Sequence, residues 1–269
     1  MIDIHNHILP AVDDGAKDAE MALSMLREAV SQNIGHLVLT PHLYEPDIID
    51  GTSDWKNRTQ QGFKTVQNLI KDNKLALDVT LAAEVRYQDF LPTILKELPV
   101  LIGGKYLLLE FSFHNVPIHI EHVIRELMIQ GIVPILAHPE RIKPWRYEPD
   151  RLERLINMGC LSQVDIGSIT GNLGEESQKF ALHLLEKDAV HILGSDAHDI
   201  ERRPILARQG YEWIKTKYGK DYADLLLKEN GQRILAGKTV FMDSVDLSYP
   251  KTGIKSKLKQ LFNTINKGI

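Results

Sequence analysis

Cysteine, long apolar runs and excess positive charge are all scarce in this sequence. Cys160 is the only cysteine among 269 residues, so no disulfide can form within the chain, which fits a reducing compartment. No apolar stretch approaches the roughly 18–20 residues that a membrane-spanning helix needs. The first residues, MIDIHNHILP, lack the charged and apolar regions of a signal peptide. These absences predict a cytoplasmic protein.

The charge balance argues against one class of partner. The formal net charge is −4, whereas nucleic-acid-binding proteins normally carry a basic face. Hydrophobic residues make up 43% of the chain, enough for a large core. The length suits one α/β barrel better than two domains. We therefore expect no nucleic-acid partner, a single barrel domain over residues 1–242, and a separate tail over 243–269.

Strand-like and helix-like runs alternate along the chain. The expected strands cover residues 1–5, 36–40, 77–84, 106–111, 132–138, 161–166 and 190–194. The expected helices cover residues 18–32, 55–72, 88–97, 118–130, 149–158 and 174–187, with further helices up to about 236. The strands are continuous apolar runs, as in sheets covered by helices. This order predicts parallel βαβ units in an open sheet or a closed barrel.

Side chains that bind metals stand at the C-terminal ends of six of these seven strands. They are His5, His7, His42, Glu84, Glu110, His138, Asp196 and His198. In parallel α/β folds this edge is where ligands bind, and residues i and i+2 of an extended segment point the same way. One such residue alone is more often a structural hydrogen-bonding group, but six strand ends together favour a metal site. The set exceeds what one tetrahedral ion binds, which predicts two or three ions.

Several motifs resemble those of the PHP (polymerase and histidinol phosphatase) superfamily. They are the HxH start, the TPH turn, AHPER and SDAH. DIHNHILPAVDDG, YLLLEF, HPER and GSDAH are similar to its bacterial capsule and exopolysaccharide branch, the CpsB/YwqE-type protein-tyrosine phosphatases. The resemblance runs from residue 1 to about 240. It implies a distorted seven-stranded (β/α) TIM-like barrel with a trinuclear site, usually of manganese, although these ligands also accept iron or zinc.

The resemblance also implies how the ligands are shared. One metal would take His5, His7 and Asp196, and Glu84 would bridge to a second that also takes Glu110 and His138. A third would take Asp14, His42 and His198; Asp13 lies beside Asp14, and only the position in the motif favours the latter. The branch commonly has a second His where this sequence has Leu43, and Gly-Gln where it has Ala82-Ala83. Neither departure removes a ligand, but both bear on substrate contacts.

Arginines near the ligands are candidates for binding phosphate, because the planar guanidinium binds two phosphate oxygens at once. We expect Arg141, Arg202 and Asp196 to be catalytic, with Arg203 and Arg86 as further candidates. A metal-activated water would be the nucleophile. A cysteine phosphatase needs an Arg six residues after its Cys, whereas Ile166 holds that position after Cys160. Cys160 stands in an apolar context, and we expect it in the core.

The resemblance implies a substrate, and the residues leave alternatives. We expect a protein-tyrosine phosphatase acting on the phosphorylated tail of a kinase that controls capsular or exopolysaccharide synthesis. One alternative is a small-molecule phosphatase, such as one for histidinol phosphate; another is a nonenzymatic metal-binding regulatory subunit. The tail, KTGIKSKLKQLFNTINKGI, alternates lysines with apolar residues. That pattern suits an anionic membrane surface, although we favour a docking helix or an unstructured tail.

Overall fold

The computed structural model describes residues 1–44, 47, 53–95 and 100–249. Its strands are β1 Ile2–Asp3, β2 His36–Leu39, β3 His42–Leu43, β4 Asp78–Leu81, β5 Glu84–Arg86, β6 Tyr106–Glu110, β7 Val133–Ala137, β8 Leu161–Asp165 and β9 Ile192–Gly194. All strand pairs are parallel and fall into two sheets, in the orders β1-β2-β4 and β3-β5-β6-β7-β8-β9. The parallel α/β class predicted from the sequence is confirmed.

Helices follow the strands, as the alternation predicts. They are α1 Ala19–Ser31, α2 Ser53–Asp72, α3 Leu91–Ile94, α4 Ile120–Ile129, α5 Lys143–Tyr147, α6 Pro149–Met158, α7 Ile166–Thr170, α8 Glu175–Glu186, α9 Ala207–Tyr218, α10 Lys220–Asp224 and α11 Asn230–Leu235. Asp18 starts α1 by accepting a hydrogen bond from Met21 N at 2.8 Å, the usual role of an N-cap. The helix predicted over 88–97 is short as α3, and residues 96–99 lie outside the described residues.

Two of the predicted strands are followed by short strands that the sequence did not predict. The strands predicted over residues 36–40 and 77–84 are present as β2 and β4, and after a short break the chain resumes as β3 and as β5. Pro41 lacks the N–H that a continuous ladder requires, although its carbonyl still accepts a hydrogen bond from Glu84 N at 3.1 Å. The break shifts both strands into the second sheet. His42 and Glu84 become directly paired partners there.

The last strand returns to the first. Beyond β1 and β9, Asn6 and Ala197 form a parallel bridge. His7 N donates to Ala197 O at 2.9 Å, and Asp196 N donates to His5 O at 2.8 Å. With β2 and β3 counted as one bent strand, and β4 and β5 as another, the described residues contain seven parallel strands, and the bridge joins the first to the last. The fold is the distorted TIM-like barrel that the sequence predicted.

The apolar side chains of each strand separate into two packed clusters. Tyr106 and Leu108 of β6 pack with residues of other strands, such as Ile135 and Ile192, in the interior. Leu107 and Leu109 point the other way and pack in the larger cluster with the helices. This alternation follows from the two-residue period of a strand. Because apolar side chains occupy both faces of the strands, the strand ends remain as the place where polar side chains can meet.

The segment after residue 242 begins by packing on the barrel. Val245 and Leu247 are buried. Asn157 of α6 donates to Val245 O at 3.0 Å and accepts from Val245 N at 2.9 Å, while Leu247 N donates to Glu153 at 2.9 Å. Residues 250–269, which hold most of the predicted basic tail, lie outside the described residues. No helix among the described residues is long and apolar enough to cross a membrane.

Candidate metal centre

Nine residues predicted as ligands from the sequence meet at the C-terminal edge of the strands. The structure arranges them in four overlapping groups, and within each group one nitrogen or oxygen per residue lies within 4.8 Å of the others. The groups are His5, His7 and Asp196; His5, Glu84 and His138; His42, Glu84 and Glu110; and His7, Asp14, His42 and His198. Because the groups share members, they form one continuous cluster rather than separate sites.

His5 and His7 face each other with their Nε2 atoms 3.4 Å apart. His5 Nδ1 lies 2.6 Å from Gln163 Oε1, and His7 Nδ1 lies 2.8 Å from Asp13 Oδ2. Since both partners are acceptors, each Nδ1 carries a proton, and Nε2 is the atom that presents a lone pair when the imidazole is neutral. Asp196 Oδ1 lies 3.4 Å from one Nε2 and 3.3 Å from the other. Two imidazole nitrogens and a carboxylate oxygen that lie this close together can bind one cation. Gln163 and Asp13, which contact the other nitrogen of each ring, fix the tautomers.

The loop after β1 separates the roles of Asp13 and Asp14. Asp13 accepts hydrogen bonds from the backbone N–H of Gly15 and of His42, both at 3.0 Å, besides orienting His7. The loop lies so close to His7 that a Cβ on Gly15 would be 1.9 Å from the His7 carbonyl oxygen. Asp14 Oδ1 instead lies 3.4 Å from Nε2 of both His42 and His198. The structure therefore places Asp14 in the cluster and Asp13 behind it.

Several buried polar atoms of the cluster make no well-directed hydrogen bond among the described residues, although His42 Nδ1 lies 2.9 Å from Glu84 Oε2 and Glu110 Oε2 lies 3.0 Å from Arg86 Nη1. They are Nδ1 of His42 and His138, Nε2 of His198, and Oε2 of Glu84 and Glu110. His198 Nδ1 lies 2.9 Å from the carbonyl oxygen of Asp196, so its Nε2 is again a free lone pair. Unpaired buried polar groups are costly and require an explanation. Lone pairs on imidazole nitrogen and carboxylate oxygen fit divalent cations.

The electrostatics of the cluster also favour the binding of positive charge. Burial opposes a charge on His5, but the carboxylates of Glu84 and Asp196 outweigh it and raise the pKa of His5 to about 10. Burial likewise opposes ionisation of Glu84, but the surrounding imidazoles hold its pKa well below the usual value. Without an ion, protons on imidazole therefore balance the buried carboxylates. Divalent cations would provide the same balance with all ligands deprotonated.

The grouping differs from the predicted sharing of ligands mainly around the second metal. Glu110 and His138 do not fall in a common group. His138 Nε2 lies 3.0 Å from Glu84 Oε1, while Glu110 Oε2 is 3.0 Å from Arg86 Nη1 and 3.9 Å from His42 Nδ1. Glu84 contacts both His138 and His42 and so occupies the centre of the cluster.

Two of the residues in the cluster have left-handed backbone conformations. The φ angles are 33° at His138 and 49° at Asp196. Residues other than glycine adopt this region at a cost, and such strained positions persist where the surrounding structure holds them. At both positions the chain leaves a strand and turns over the site. The turn keeps both side chains at the barrel edge.

Three arginines line a cavity of about 200 Å³ above the cluster, namely Arg86, Arg141 and Arg203. Arg141 Nη1 donates to Asp165 Oδ2 at 3.0 Å and to Asp196 Oδ2 at 2.6 Å. Arg203 also donates to Asp196 through Nη2, and its buried Nε has no partner among the described residues. Arg202, which we predicted to be catalytic, does not line this cavity; it lies on an adjoining groove that shares Asp14 and His198.

The structure adds polar residues that the sequence did not single out. Gln163 and Asp165 lie on β8, the strand for which no ligand was predicted. Gln163 Nε2 donates to Asp165 Oδ1 at 2.9 Å, which leaves Gln163 Oε1 to accept from His5. Their two-residue spacing is the only signal in the sequence, since such residues point to the same side of a strand. Cys160, by contrast, is fully buried in the core as predicted, and burial raises the pKa of its thiol.

The fold and this cluster define a class of protein. A TIM-like barrel with imidazoles, carboxylates and arginines around a cavity at its C-terminal edge is the architecture of a metal-dependent hydrolase. Residues 1–236 match the family model for capsular polysaccharide synthesis proteins of the CpsB/CapC type. The chain belongs to this family.

Relatives of known name cover almost the whole chain. The tyrosine-protein phosphatase YwqE of Bacillus subtilis is 34% identical over 90% of this chain and 94% of its own length. The tyrosine-protein phosphatase CpsB of Streptococcus pneumoniae is 31% identical over 89% of this chain and all of its own. A crystal structure from work on these two proteins, described as unique metal-dependent tyrosine phosphatases, has a TM-score of 0.84, with 29% identity, over 93% of this chain and 100% of that one.

Proposed function

We propose that this protein is a metal-dependent phosphatase that hydrolyses phosphotyrosine in a protein substrate. One observation carries the proposal. Lone pairs of His5, His7 and His198 converge with buried carboxylates directly below a cavity lined by arginines. The names of the relatives, all tyrosine-protein phosphatases, support the same activity.

The nine residues of the cluster would hold two or three divalent ions. The donors are imidazole nitrogens and carboxylate oxygens without any thiolate, which suits manganese, and iron or zinc as well. When bound, such ions supply a hydroxide nucleophile at neutral pH and neutralise charge on the phosphate. Gln163, Asp13 and the carbonyl of Asp196 keep Nε2 of three histidines free to bind them.

Arg141 and Arg203 would bind the non-bridging oxygens of the phosphate. Both guanidinium groups reach the cavity, and both are held by the carboxylate of Asp196. This anchoring fixes their direction before substrate arrives, so little reorganisation is needed during reaction. Arg203 has a further buried donor, Nε, available for a ligand. We assign these two arginines, together with Asp196, to catalysis and place Arg202 outside the phosphate site.

A cysteine nucleophile has no place in this mechanism. Cys160 is 0% exposed and lies in the hydrophobic core. Its thiol is held in the neutral form by burial, whereas only a thiolate attacks phosphorus effectively. Hydrolysis therefore needs no covalent phosphoenzyme.

The natural substrate that we propose is the phosphorylated tail of a tyrosine kinase that controls capsular or exopolysaccharide synthesis, acted on in the cytoplasm. Membership of the capsular polysaccharide synthesis family supports this context. Histidinol phosphate remains the small-molecule alternative, because the same cluster would hydrolyse any accessible phosphate monoester.

Parallel assays with a phosphotyrosine peptide, a phosphoserine peptide and histidinol phosphate test the proposal. The protein is first stripped of metal and then reloaded separately with manganese, iron and zinc. We expect manganese-dependent turnover of the phosphotyrosine peptide in preference to the other two. Preference for histidinol phosphate would establish the small-molecule reading. Absence of turnover with every metal and substrate would favour a nonenzymatic regulatory subunit.

A further inference from the structure

Two aromatic side chains line the cavity above the cluster. Tyr44 follows His42, with the ring centroids 4.7 Å apart and the planes 24° from parallel. Phe113 follows β6 and packs near His138, at 5.4 Å between centroids. Both residues line the same 200 Å³ cavity as the arginines. The cavity is therefore lined by an aromatic ring beside each of two imidazoles of the cluster.

The order of strands in the sheet puts these rings on different sides. His42 begins β3 and His138 follows β7, while β5 and β6 lie between them in the second sheet. Tyr44 is 40% exposed although one face is stacked on His42. Phe113 is held by Arg141, whose guanidinium carbon lies 4.7 Å from the ring centroid. Both rings thus have fixed orientations that do not depend on a substrate.

We propose that Tyr44 and Phe113 form an aryl-binding site that makes the enzyme select aryl phosphates over alkyl phosphates. This inference rests on the proposed function, in which the phosphate occupies the arginine-lined cavity. The phenyl ring of such a substrate leaves the cavity past the two side chains. Aromatic rings in contact stabilise each other by offset or edge-to-face packing beyond simple area burial. An alkyl phosphate offers no ring for this packing.

Binding of two phosphonates tests the site without turnover. Phenylphosphonate and methylphosphonate carry the same anionic group, so both report on ions and arginines, but only the first has a ring. Calorimetry on the manganese-loaded full chain gives the two dissociation constants. We expect Tyr44→Leu and Phe113→Leu each to weaken phenylphosphonate about 2- to 12-fold while methylphosphonate is unchanged. Tyr44→Phe, which keeps the ring, is expected to retain the preference.

Phe241 and Tyr147 provide matched controls. Phe241 is 76% exposed and packs under Arg233 at 4.9 Å, the same kind of contact as that between Phe113 and Arg141. Tyr147 is 74% exposed on α5. Neither is among the described residues that line the cavity. Leucine at either position is expected to leave both affinities unchanged.

The outcomes separate this inference from the proposed function. Equal weakening of both phosphonates in Tyr44→Leu or Phe113→Leu would mean that the ring only supports its neighbouring imidazole or, for Phe113, Arg141, and would overturn the aryl-binding site. Unchanged binding of both would overturn it as well. Lack of turnover by the unmodified protein on any phosphate monoester would instead overturn the proposed function.

Discussion

His5 is oriented by Gln163, whose side-chain oxygen lies 2.6 Å from His5 Nδ1. The amide group of Gln163 donates in turn to Asp165, and Asp165 accepts from Arg141. Arg141 also donates to Asp196, which lies 3.4 Å from His5 Nε2. The five side chains form a closed ring. A candidate ligand and a candidate phosphate-binding arginine therefore share the same support.

Substitution of Gln163 by leucine tests this support. Leucine keeps the approximate size of the side chain but cannot accept the hydrogen bond from His5 Nδ1. The imidazole of His5 therefore loses its fixed tautomer and orientation. Loss of such an outer partner typically weakens metal binding about 10- to 100-fold. Titration of the stripped protein with manganese, followed by calorimetry, measures the change. Gln130→Leu is the control, since Gln130 donates to Pro92 O at 2.8 Å outside the cluster; equal affinities in the two variants would contradict the role of Gln163.

Adjacent arginines give a direct test of the phosphate site. Arg203→Ala removes a guanidinium that lines the cavity, whereas Arg202 does not line it and instead lies on the adjoining groove. We expect Arg203→Ala to lower kcat by about 10²- to 10³-fold, the usual effect of losing one fixed donor to transition-state charge. With a small aryl phosphate, Arg202→Ala is expected to change kcat less than about twofold. The reverse order would restore the original prediction that Arg202 is catalytic.

Metal binding is expected to release protons. The carboxylates beside His5 raise its pKa to about 10 despite burial, so in the metal-free protein a cation displaces a proton that is present at neutral pH. Affinity for manganese should therefore increase from pH 6 to pH 9. The stability of the metal-free protein should change in the opposite sense, because protonated His5 contributes fully below the unfolded pKa of ~6.5 and is lost as pH rises towards 10. Calorimetry in buffers of different ionisation enthalpy counts the protons; a value of zero would exclude this exchange.

Destabilisation by acid has a separate source in the buried side chain of His191. The ring is buried and accepts a hydrogen bond from Ser162 N through Nδ1 at 3.0 Å. Burial lowers the pKa of His191 to about 4. Since the unfolded chain takes up this proton near pH 6.5 and the folded one does not, stability falls as pH decreases between those values, by up to about 3 kcal/mol.

Urea unfolding between pH 7 and pH 4 measures this contribution. We expect His191→Asn, whose side-chain oxygen can replace Nδ1 as acceptor, to flatten the acid side of the stability profile. His122→Asn serves as control because the side chain of His122 is 73% exposed. Parallel profiles for His191→Asn and the unmodified protein would show that another group controls acid unfolding.

Much of the barrel could be predicted because its signals are local. Apolar runs mark the strands, and the spacing of residues such as Ala22, Met25, Leu26 and Ala29 marks the buried face of α1. The polar residues at the strand ends were visible for the same reason. The restart of two strands after Pro41 and Ala83 was not, because it depends on the pairing of His42 with Glu84.

The choice between Arg202 and Arg203 could not be made from the sequence, and the choice of Asp14 over Asp13 rested only on its position in the motif. The side chain of Asp199 accepts the backbone N–H groups of both Arg202 and Arg203, at 2.5 and 3.1 Å. This turn directs Arg203 to the cavity and Arg202 away from it. Asp13 and Asp14 are separated in the same way by the bend at Gly15. Such assignments depend on tertiary contacts, which residue types and spacing do not encode.

The parallel bridge between Asn6 and Ala197 has a consequence for how the protein matures. Ser195 and His5 are 190 positions apart. Nevertheless Asp196, the neighbour of Ser195, forms one candidate ion site with His5 and His7. A nascent chain can complete this site only after its seventh β/α unit has docked. A bound cation would then connect residues from the two ends of the barrel sequence and stabilise the folded state, because the unfolded chain offers no such site. Metal binding would therefore occur only in chains that have completed folding.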